Sequence, residues 1–345
     1  MSKSSRYREA GVDIDAKYDA VTRAKDAIRT TFTEGVVSDI GSFGGLFDPA
    51  RVGAEGEILV ASADGVGTKV KVAAMTKRYD SIGACLVNHC VNDILVQGAR
   101  PLFFLDYVGC GKMQPTQVGE ILQGLARACR ENGLALLGGE TAEMPGMYED
   151  GDFEVVGTIV GSVRQEDLLD GSRVQAGDVI ISLPSSGLHT NGYSLARRIL
   201  FEELGHDVQD APGEIEGSLA AALLAEHKSY LKPVLPLLQG SQDVHACAHI
   251  TGGGLFDNIP RVLPEGIGVE IDVAMVQPPA IFRYLMEHGN IERNEAYRVF
   301  NMGFGFVLLV DPKSVDQVMQ RLVAAGEAPV LVGEAVAGSR EVQLR

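Results

Sequence analysis

The segment SADGVGTK at residues 62–69 directly follows an apolar run that predicts a buried strand. It combines a carboxylate (Asp64), two glycines (Gly65 and Gly67), a hydroxyl (Thr68) and an ammonium (Lys69). A carboxylate can ligate a hard cation, glycine N–H groups can approach oxygens closely, and a lysine can neutralise a phosphoryl transition state. The alternative is a plain turn before a helix, but glycine loops at strand ends in α/β folds favour a ligand site.

This segment differs from the two common nucleotide-binding motifs. Its order is G-x-G-T-K, and neither G-x-x-x-x-G-K-S/T nor G-x-G-x-x-G occurs anywhere in the chain. We therefore expect a nucleotide site to use an architecture that is neither a P-loop nor a Rossmann fold. Other glycines cluster at residues 41–45, 138–139 and 252–254, where a backbone turns tightly or approaches a ligand.

Strand and helix patterns alternate along the whole chain, which predicts an α/β (α+β) fold. In the first half, predicted strands cover residues 57–63, 101–108, 134–137 and 153–163, and predicted helices cover residues 15–32, 80–97 and 117–131. In the second half, predicted strands cover residues 178–183, 245–250, 267–273, 303–310 and 329–334, and predicted helices cover residues 192–204, 219–238 and 313–325. A polar stretch at residues 164–177 separates the halves, so we predict domains at residues 1–168 and 169–345. A distant duplication stays open.

Composition restricts the compartment and the class of partner. The chain has 345 residues, 46% of them hydrophobic, and its net charge of −16 repels polyanions, so we expect no nucleic-acid partner. We also expect no membrane partner, because the best apolar run, at residues 304–310, is far shorter than the roughly 20 residues that cross a bilayer. The start lacks the apolar segment of a signal peptide, and the five cysteines form no C-x-x-C pair. A cytoplasmic location with reduced thiols is therefore predicted.

The helix predicted at residues 80–97 is apolar nearly all round but carries one polar stripe. The stripe consists of Asn88, His89, Asn92, Asp93 and Gln97. Because burying an unpaired carboxylate is costly, we expect Asp93 to meet a cation or hydrogen-bond donors, or the stripe to open on a cleft. A stripe that faces water is the alternative, and a lone histidine such as His89 is more often structural.

The segment GGETAEMPGMY at residues 138–148 places two carboxylates next to a glycine turn. Glu140 and Glu143 would follow the short buried strand, in a position that suits metal or substrate contacts. Charged loop residues at a strand end are also common without any function.

In the second half, SSGLHTNGYSLARR at residues 185–198 places three polar side chains before a helix. His189, Thr190 and Asn191 would lie where the free N–H groups of a helix start attract an anion. The alternative is that Thr190 or Asn191 is simply the N-cap of that helix.

His245 and His249 flank Cys247 in the segment HACAH, which superficially resembles a metal cluster. Alternation in a strand would place all three on one face, but no second ligand pair accompanies them, so a core role is favoured. The next segment, TGGGLFDNIP, contains Gly253 and Asp257 in what is predicted to be a loop that a ligand can approach.

Five of these segments, in order, resemble the phosphoribosylformylglycinamidine cyclo-ligase family, also called aminoimidazole ribonucleotide (AIR) synthetases. They are SADGVGTK, CVNDILVQGARPLFFLDY, GGETAEMPGMY, SSGLHTNGYSLAR and AHITGGGLFDNIPRVLP, and the resemblance runs from about Tyr7 to the last strand. Five long motifs in order are far more specific than any one of them.

The resemblance implies the fifth step of de novo purine synthesis. Formylglycinamidine ribonucleotide would be cyclised to aminoimidazole ribonucleotide with ATP, and ADP and phosphate would be released. In the family's proposed route, ATP phosphorylates the formyl oxygen, and an amine nitrogen of the same molecule then displaces phosphate. The resemblance also implies a homodimer, in which two N-terminal sheet-and-helix domains form a barrel-like sheet, and a C-terminal α/β domain.

The resemblance further implies roles for individual positions. Catalytic roles fall to Asp64, Lys69, Asp93 and His189, of which His189 is the candidate proton carrier. Nucleotide contacts fall to Lys25, Gly44, Gly45, Gly65, Gly67, Thr68 and Asn92, and substrate contacts to Glu140, Thr190, Asn191 and Gly253. Magnesium would be held by Asp64 and Asp93, with Asp257 as a further ligand, and a need for a monovalent cation such as K⁺ stays open.

Other ATP-using members of the same superfamily are the alternatives. Selenophosphate synthetase usually has a reactive Cys near its N-terminal glycine loop, whereas the first cysteine here is Cys85. Thiamine-phosphate kinase lacks the motif around His189, and formylglycinamidine ribonucleotide synthetases are typically much longer. A non-catalytic nucleotide-binding protein would bind ATP without substrate-stimulated hydrolysis.

Overall fold

The computed structural model describes residues 14–36, 49–53 and 57–345 of the chain, and it contains two separate sheets. The first sheet has the strand order β1-β4-β2-β3. Its strands are β1 (Ile58–Gly65), β2 (Arg100–Cys110), β3 (Ala135–Glu143) and β4 (Phe153–Val163). The pair β2 and β3 is parallel, and both pairs that involve β4 are antiparallel. The predicted mixed α/β class is confirmed.

Helices of the first half pack against this sheet and against each other. They are α1 (Ile14–Arg29), α2 (Lys69–Thr76), α3 (Asp80–Leu95) and α4 (Pro115–Asn132). Helix α3 contacts three strands of the sheet and also α4, and α4 in turn packs on α1. Helix α4 ends where Gly133 adopts φ 71°, because glycine enters the left-handed region without steric cost.

The second sheet has six strands in the order β10-β7-β9-β5-β8-β6. They are β5 (Val179–Pro184), β6 (Val244–His249), β7 (Ile267–Ile271), β8 (Phe304–Val310), β9 (Val330–Ala337) and β10 (Val342–Leu344). Only β10 and β7 pair in parallel. The helices are α5 (Tyr193–Arg197, continued by a π-turn to Glu203), α6 (Leu219–Leu223), α7 (Leu231–Leu238), α8 (Gly254–Asn258), α9 (Ala280–His288), α10 (Arg293–Val299) and α11 (Val315–Ala324). None of the helices in the described part of the chain is long and apolar enough to span a bilayer.

The polar stripe of α3 faces the second half of the chain. Asn88, His89 and Asn92 are buried, so the alternative that the stripe faces water is wrong for them. The Asn88 side chain donates to the carbonyl oxygen of His227 at 2.7 Å, and the Asn92 amide donates to that of Lys228 at 2.8 Å. The stripe therefore joins the two halves of the protein.

Three sequence-based expectations about local structure are wrong. Part of the segment TGGGLFDNIP, which was predicted to be a loop, forms the short helix α8 (Gly254–Asn258). The single helix expected at residues 219–238 is interrupted between Leu223 and Leu231, and the intervening chain crosses to α3. There the Tyr230 N–H donates to the Asn92 side-chain oxygen at 2.9 Å, which replaces a bond of a continuous helix. Glu140 and Glu143 do not follow a short strand but lie within β3, because that strand continues along β2.

Two glycines allow α3 and α4 to pack unusually closely. A Cβ on Gly83 would overlap the Ile121 carbonyl oxygen, and a Cβ on Gly124 would overlap that of Asp80. Both obstacles are backbone atoms, which cannot turn aside as a flexible side chain can.

We expect Gly124→Ala to lower the free energy of unfolding by about 3 kcal/mol, because the helices must move apart to accept the methyl group. Urea unfolding monitored by circular dichroism measures this change. Gly119→Ala on the same helix is the matched control, because the nearest atom to its new Cβ would be Arg23 Cδ at 4.0 Å. The control should raise stability by about 0.5–1 kcal/mol through helix propensity. Equal effects of the two variants would contradict the close-packing argument.

One strand of the first sheet carries a buried carboxyl group. Asp106 on β2 is 8% exposed, and its side chain occupies the space that a Cβ on Gly139 of the neighbouring strand would need. Burial raises the pKa of Asp106 to about 7. The folded protein therefore holds a proton at this site, between about pH 4 and pH 7, that the unfolded chain has released.

Because the folded state binds more protons over that range, this carboxyl should make stability fall as pH rises from about 4 to about 7. Asp106→Asn removes the ionisation. The free energy of unfolding of the variant should therefore rise relative to that of the native protein as pH rises, by up to about 4 kcal/mol at pH 8. Urea unfolding at pH 5 and pH 8 measures the difference. Asp150→Asn, at an exposed position, is the control. A gain that is independent of pH would contradict the raised pKa.

Candidate active site at the junction of the two domains

Two carboxylates of the first domain lie on either side of one buried imidazole. Asp64 is at the end of β1, and Asp93 is near the end of α3. The Nε2 atom of His89 is 2.8 Å from Asp64 Oδ2 and 3.5 Å from Asp93 Oδ2. The aspartate side chains are 47% and 25% exposed, whereas that of His89 is 3% exposed. The two carboxylates are therefore partly exposed to solvent, and the histidine that both contact is buried.

The second domain contributes two more histidines to the same cluster. His249, at the end of β6, places its Nδ1 atom 2.8 Å from Asp93 Oδ1. His227 lies in the chain between α6 and α7, and its Nε2 atom is 3.0 Å from Nε2 of His249. His249 is buried, as a core role predicts, but the prediction missed its contact with Asp93. The Asp93 carboxylate does meet donors, as the stripe pattern predicted.

Thr190 completes a continuous chain of polar contacts through the cluster. Its hydroxyl is 2.7 Å from Nδ1 of His89 and 3.4 Å from Nδ1 of His227. The contacts therefore run from Asp64 through His89, Thr190, His227 and His249 to Asp93. Each neighbouring pair of groups in this series can form a hydrogen bond when the imidazole has the appropriate tautomer.

His189 lies behind this chain in a strained backbone conformation. Its φ of 60° is uncommon for a residue other than glycine, and such strain often accompanies a functional site. Its ring stacks on His227 at a centroid distance of 3.9 Å. Its Nε2 atom accepts a hydrogen bond from the Ser186 N–H at 3.1 Å, and its buried Nδ1 atom has no hydrogen-bond partner among the described residues. The Nδ1 atom of His189 is thus available to form a hydrogen bond with a ligand.

The cluster shifts the pKa values of its members in opposite directions. Burial alone would raise the pKa values of Asp64 and Asp93, but contacts with His89 and His249 outweigh it and lower both. Burial would lower the pKa of His89, but the two aspartates raise it above its usual value. Burial lowers the pKa of His189 and His227 well below the usual value, and neighbouring cationic groups add to the effect. The aspartates are therefore ionised and His189 is neutral at pH 7.

Lys69 is enclosed between the domains rather than exposed in the cleft. Its ammonium donates to the carbonyl oxygens of His189 at 2.9 Å and Ala225 at 2.7 Å, and to the Cys85 sulfur at 3.1 Å. The side chain is fully buried, and all three of its donors are used. It therefore fixes the backbone of the His189 loop, and its contact with a phosphate stays a prediction.

The remaining positions of the glycine loop also approach the second domain. Gly67 has a φ of 56°, and the Thr68 hydroxyl is 3.1 Å from that of Ser194. Asn191 lies beside Gly252, whose Cβ would be 3.1 Å from its side-chain oxygen. Gly65 would place a Cβ 3.1 Å from the Val155 carbonyl oxygen. The loop, the Thr190–Asn191 pair and the glycine triplet thus meet at one domain junction.

Other predicted site residues are more scattered. Glu140 is exposed on the edge strand β3, where its Oε1 atom accepts a hydrogen bond from the Thr141 N–H at 2.7 Å. Asp257 is exposed in α8, and its side chain lies over Gly253. Lys25 lies on α1, which packs on α4. Gly44 and Gly45 fall outside the described residues, and Asn92 uses its amide to bind residues 228–230. Ligand roles for these six residues stay predictions.

Two groups within the described residues bring three possible ligand atoms close enough for one metal ion. One is His89, Asp93 and His249, and the other is His189, His227 and His249. Asp64 adjoins the first group through its contact with His89 Nε2. The paired, ionised and partly exposed carboxylates of Asp64 and Asp93 fit an oxygen-binding cation such as Mg²⁺.

Two protein-family models match the chain. The AIR synthase related protein N-terminal domain matches residues 46–163, and the C-terminal domain of the same class matches residues 175–344. The fold and the site therefore define an AIR synthase-related protein with both of its characteristic domains.

Curated relatives narrow this class. Phosphoribosylformylglycinamidine cyclo-ligase of Desulfitobacterium hafniense is 49% identical over 335 residues, which cover 97% of each chain. That of Alkaliphilus metalliredigens is 45% identical over 340 residues, which cover 98% of this chain and 97% of the relative. The chain belongs to the phosphoribosylformylglycinamidine cyclo-ligase family, and it is an enzyme of the ligase class. The resemblance inferred from five motifs is confirmed.

Solved structures support the fold at lower identity. Thiamine-monophosphate kinase from Stenotrophomonas maltophilia has a TM-score of 0.70 at 19% identity, and the match covers 93% of this chain and 95% of that one. The hydrogenase maturation protein HypE in complex with ATP has a TM-score of 0.66 at 16% identity, with coverage of 95% and 91%. These similarities concern the architecture alone.

Proposed function

We propose that the protein cyclises formylglycinamidine ribonucleotide to 5-aminoimidazole ribonucleotide and converts ATP to ADP and phosphate. The observation that carries this proposal is the near full-length identity of 45–49% to relatives named phosphoribosylformylglycinamidine cyclo-ligase. The reaction forms a C–N bond within one molecule and is the fifth step of purine biosynthesis. The junction supports it, because two ionised carboxylates and a buried neutral imidazole belong to one cluster of side chains.

ATP use is supported by the family and by the solved ATP complex of a protein with the same fold. Asp64 and Asp93 would hold Mg²⁺, and the ion would supply charge neutralisation for the phosphates. The loop at residues 65–68 would present backbone N–H groups to the phosphates.

His189 is the candidate proton carrier of the reaction. The ring closure moves protons between nitrogen and oxygen atoms, and a positioned imidazole can accept or donate one. Because Nε2 of His189 accepts the Ser186 N–H, Nδ1 carries the proton of the neutral ring, and this N–H has no partner among the described residues, which supports a role as proton donor. Thr190, Asn191 and Gly253 would orient the substrate beside it, and Glu140 would bind substrate from the first sheet.

The proposed assembly is a cytoplasmic homodimer formed by the N-terminal domain, with the domain boundary near residue 168. Edge strand β1 pairs only with β4 among the described strands, and Leu59 on it is 60% exposed. A second copy of the sheet would cover this apolar surface in a barrel-like arrangement. The five buried, free cysteines fit a reducing compartment.

The purified protein tests the reaction directly. ADP release is measured with ATP and Mg²⁺, with and without formylglycinamidine ribonucleotide, and the aminoimidazole product is measured by a colour assay. We expect substrate-dependent ADP that is matched one for one by aminoimidazole. ADP release with thiamine phosphate, AMP release with selenide, or ATP binding without any product would favour another superfamily member or a non-catalytic role.

A further inference from the structure

The loop that carries His189 lies beside a second loop at the same end of the second sheet. The first loop follows β5, the second, at residues 300–303, precedes β8, and Pro184 at the end of β5 pairs with Phe304 at the start of β8. Each loop contains a residue other than glycine in the left-handed region, His189 at φ 60° and Met302 at φ 49°. Such conformations persist only where the surrounding structure holds them, and they often accompany functional sites.

Asn301 joins these two loops through its side chain. Its amide nitrogen donates to the Gly187 carbonyl oxygen at 2.8 Å, and its oxygen accepts hydrogen bonds from the Ser185 hydroxyl and the Gly303 N–H, both at 2.9 Å. A backbone N–H can only donate and a carbonyl oxygen can only accept, so the orientation of the amide is fixed. Because the side chain is 3% exposed, little water is available to replace these bonds.

The two loop residues that Asn301 holds, Ser185 and Gly187, lie on either side of Ser186. The Ser186 N–H donates to Nε2 of His189 at 3.1 Å. Peptide groups are planar, so anchoring both neighbours restricts the direction of this N–H. An N–H donor makes Nε2 an acceptor, and the proton of the neutral ring is then on Nδ1. Burial lowers the pKa of His189 well below the usual value, which keeps the ring neutral at pH 7.

We propose that Asn301 is a positioning residue, which holds the Ser186 N–H in place and thereby keeps the proton of the neutral His189 ring on Nδ1. The inference rests on the proposed function, in which this ring N–H takes part in proton transfer. Without the amide, the Gly187 carbonyl and the Ser185 hydroxyl lose a buried partner, and the loop can relax from its left-handed conformation. The Ser186 N–H then no longer selects one tautomer, and the other tautomer has no proton at Nδ1.

The tautomer of His189 tests this inference without any substrate. NMR of the full-length protein with ¹⁵N-labelled histidine rings distinguishes protonated from unprotonated ring nitrogens, and His189→Asn identifies the His189 signals by their loss. We expect one tautomer, protonated at Nδ1, in the native protein and a mixture of both tautomers in Asn301→Ala. Ser185→Ala removes one of the two loop bonds and should shift the signals in the same direction by less. This milder variant decides the question if Asn301→Ala does not fold.

Kinetics measure what the position of the ring contributes to turnover. Asn301→Ala should lower kcat about a hundredfold, the cost of a small misplacement of a catalytic group, with little change in the KM for ATP. In the His189→Asn background the same substitution should change kcat by no more than about twofold, because it acts only through His189.

Thr31→Ala is the control for the loss of buried hydrogen bonds. The Thr31 side chain is also 3% exposed, and its hydroxyl donates to the Ile28 carbonyl oxygen at 2.6 Å and accepts the Leu136 N–H at 3.2 Å, all within the first domain. This variant should lose stability but keep native kcat and the native His189 tautomer. Thermal unfolding of every variant measures the loss of stability.

The two measurements separate this inference from the proposed function. A native protein that forms no aminoimidazole product would refute the proposed function, whereas the tautomer result does not depend on product. A native His189 ring protonated at Nε2 would overturn the positioning role. So would a native tautomer together with native kcat in Asn301→Ala, or equal losses of kcat from that substitution in the native and His189→Asn backgrounds.

Discussion

Asp93→Asn is expected to lower kcat/KM for substrate-dependent ADP release by at least about a hundredfold, the scale seen when one preorganised electrostatic contact is removed. The substitution keeps the size of the side chain and one oxygen but removes the negative charge. The carboxyl group of Asp93 is ionised at neutral pH, because contacts with His249 and His89 lower its pKa. The apparent Mg²⁺ requirement should rise in the same variant. Initial rates over a series of Mg²⁺ concentrations measure both effects.

The matched control for this variant is Asp316→Asn, which makes the same chemical change at an exposed position in the first turn of α11. It should keep native activity and native Mg²⁺ dependence. Asp93 is partly exposed, so its variant should also fold, and thermal unfolding checks this. Full activity of Asp93→Asn at ordinary Mg²⁺ concentrations would refute the metal-binding role proposed for this carboxylate.

His189→Asn is expected to reduce kcat by about 10²–10⁴-fold, the usual contribution of a positioned acid or base. Asparagine is the appropriate replacement, because it tolerates the left-handed backbone at φ 60° better than alanine. Burial lowers the pKa of His189 well below the usual imidazole value, so the neutral form persists as pH falls through about 6.5. Protonation of His189 should therefore not be the cause of any fall in the native rate as pH drops past that value. A pH–rate profile of both proteins measures this.

His288→Asn, which changes an exposed histidine outside the cluster, serves as the control, and its turnover and pH profile should match those of the native protein. The KM for ATP should change little in His189→Asn, because the proposed role concerns proton transfer and not nucleotide binding. Normal turnover of His189→Asn would remove this residue as the acid or base.

The local elements and the family were largely predictable from the sequence. The period of apolar residues in α3, the Asn132–Gly133 end of α4 and the apolar strand β8 each depend on neighbours in sequence. The polar stripe on α3 could also be read as a buried stripe or cleft, because an unpaired buried carboxylate is costly. The interrupted helix between Leu223 and Leu231 could not be predicted, since its break is stabilised by Asn92, a residue far away in the chain.

The site was predicted only in part. Asp64, Asp93, His189 and Thr190 were selected from their motifs, and the structure brings all four to one junction. His227 was missed because no motif surrounds it, and the contact of His249 with Asp93 was missed because strand alternation favoured a core position. Four of the seven histidines lie in this cluster, but their spacing along the sequence does not indicate that they meet.

The two-domain α/β class, the family and the glycine loop with its carboxylate could be inferred from the amino-acid sequence, because these depend on short-range patterns and on motif order. In contrast, the enclosure of Lys69 by carbonyl oxygens and the cluster of His89, His227 and His249 became visible only in the folded protein. These groups come from α2, α3, β6 and the break between α6 and α7. Their distances are set by the packing of one domain against the other, which no local pattern encodes.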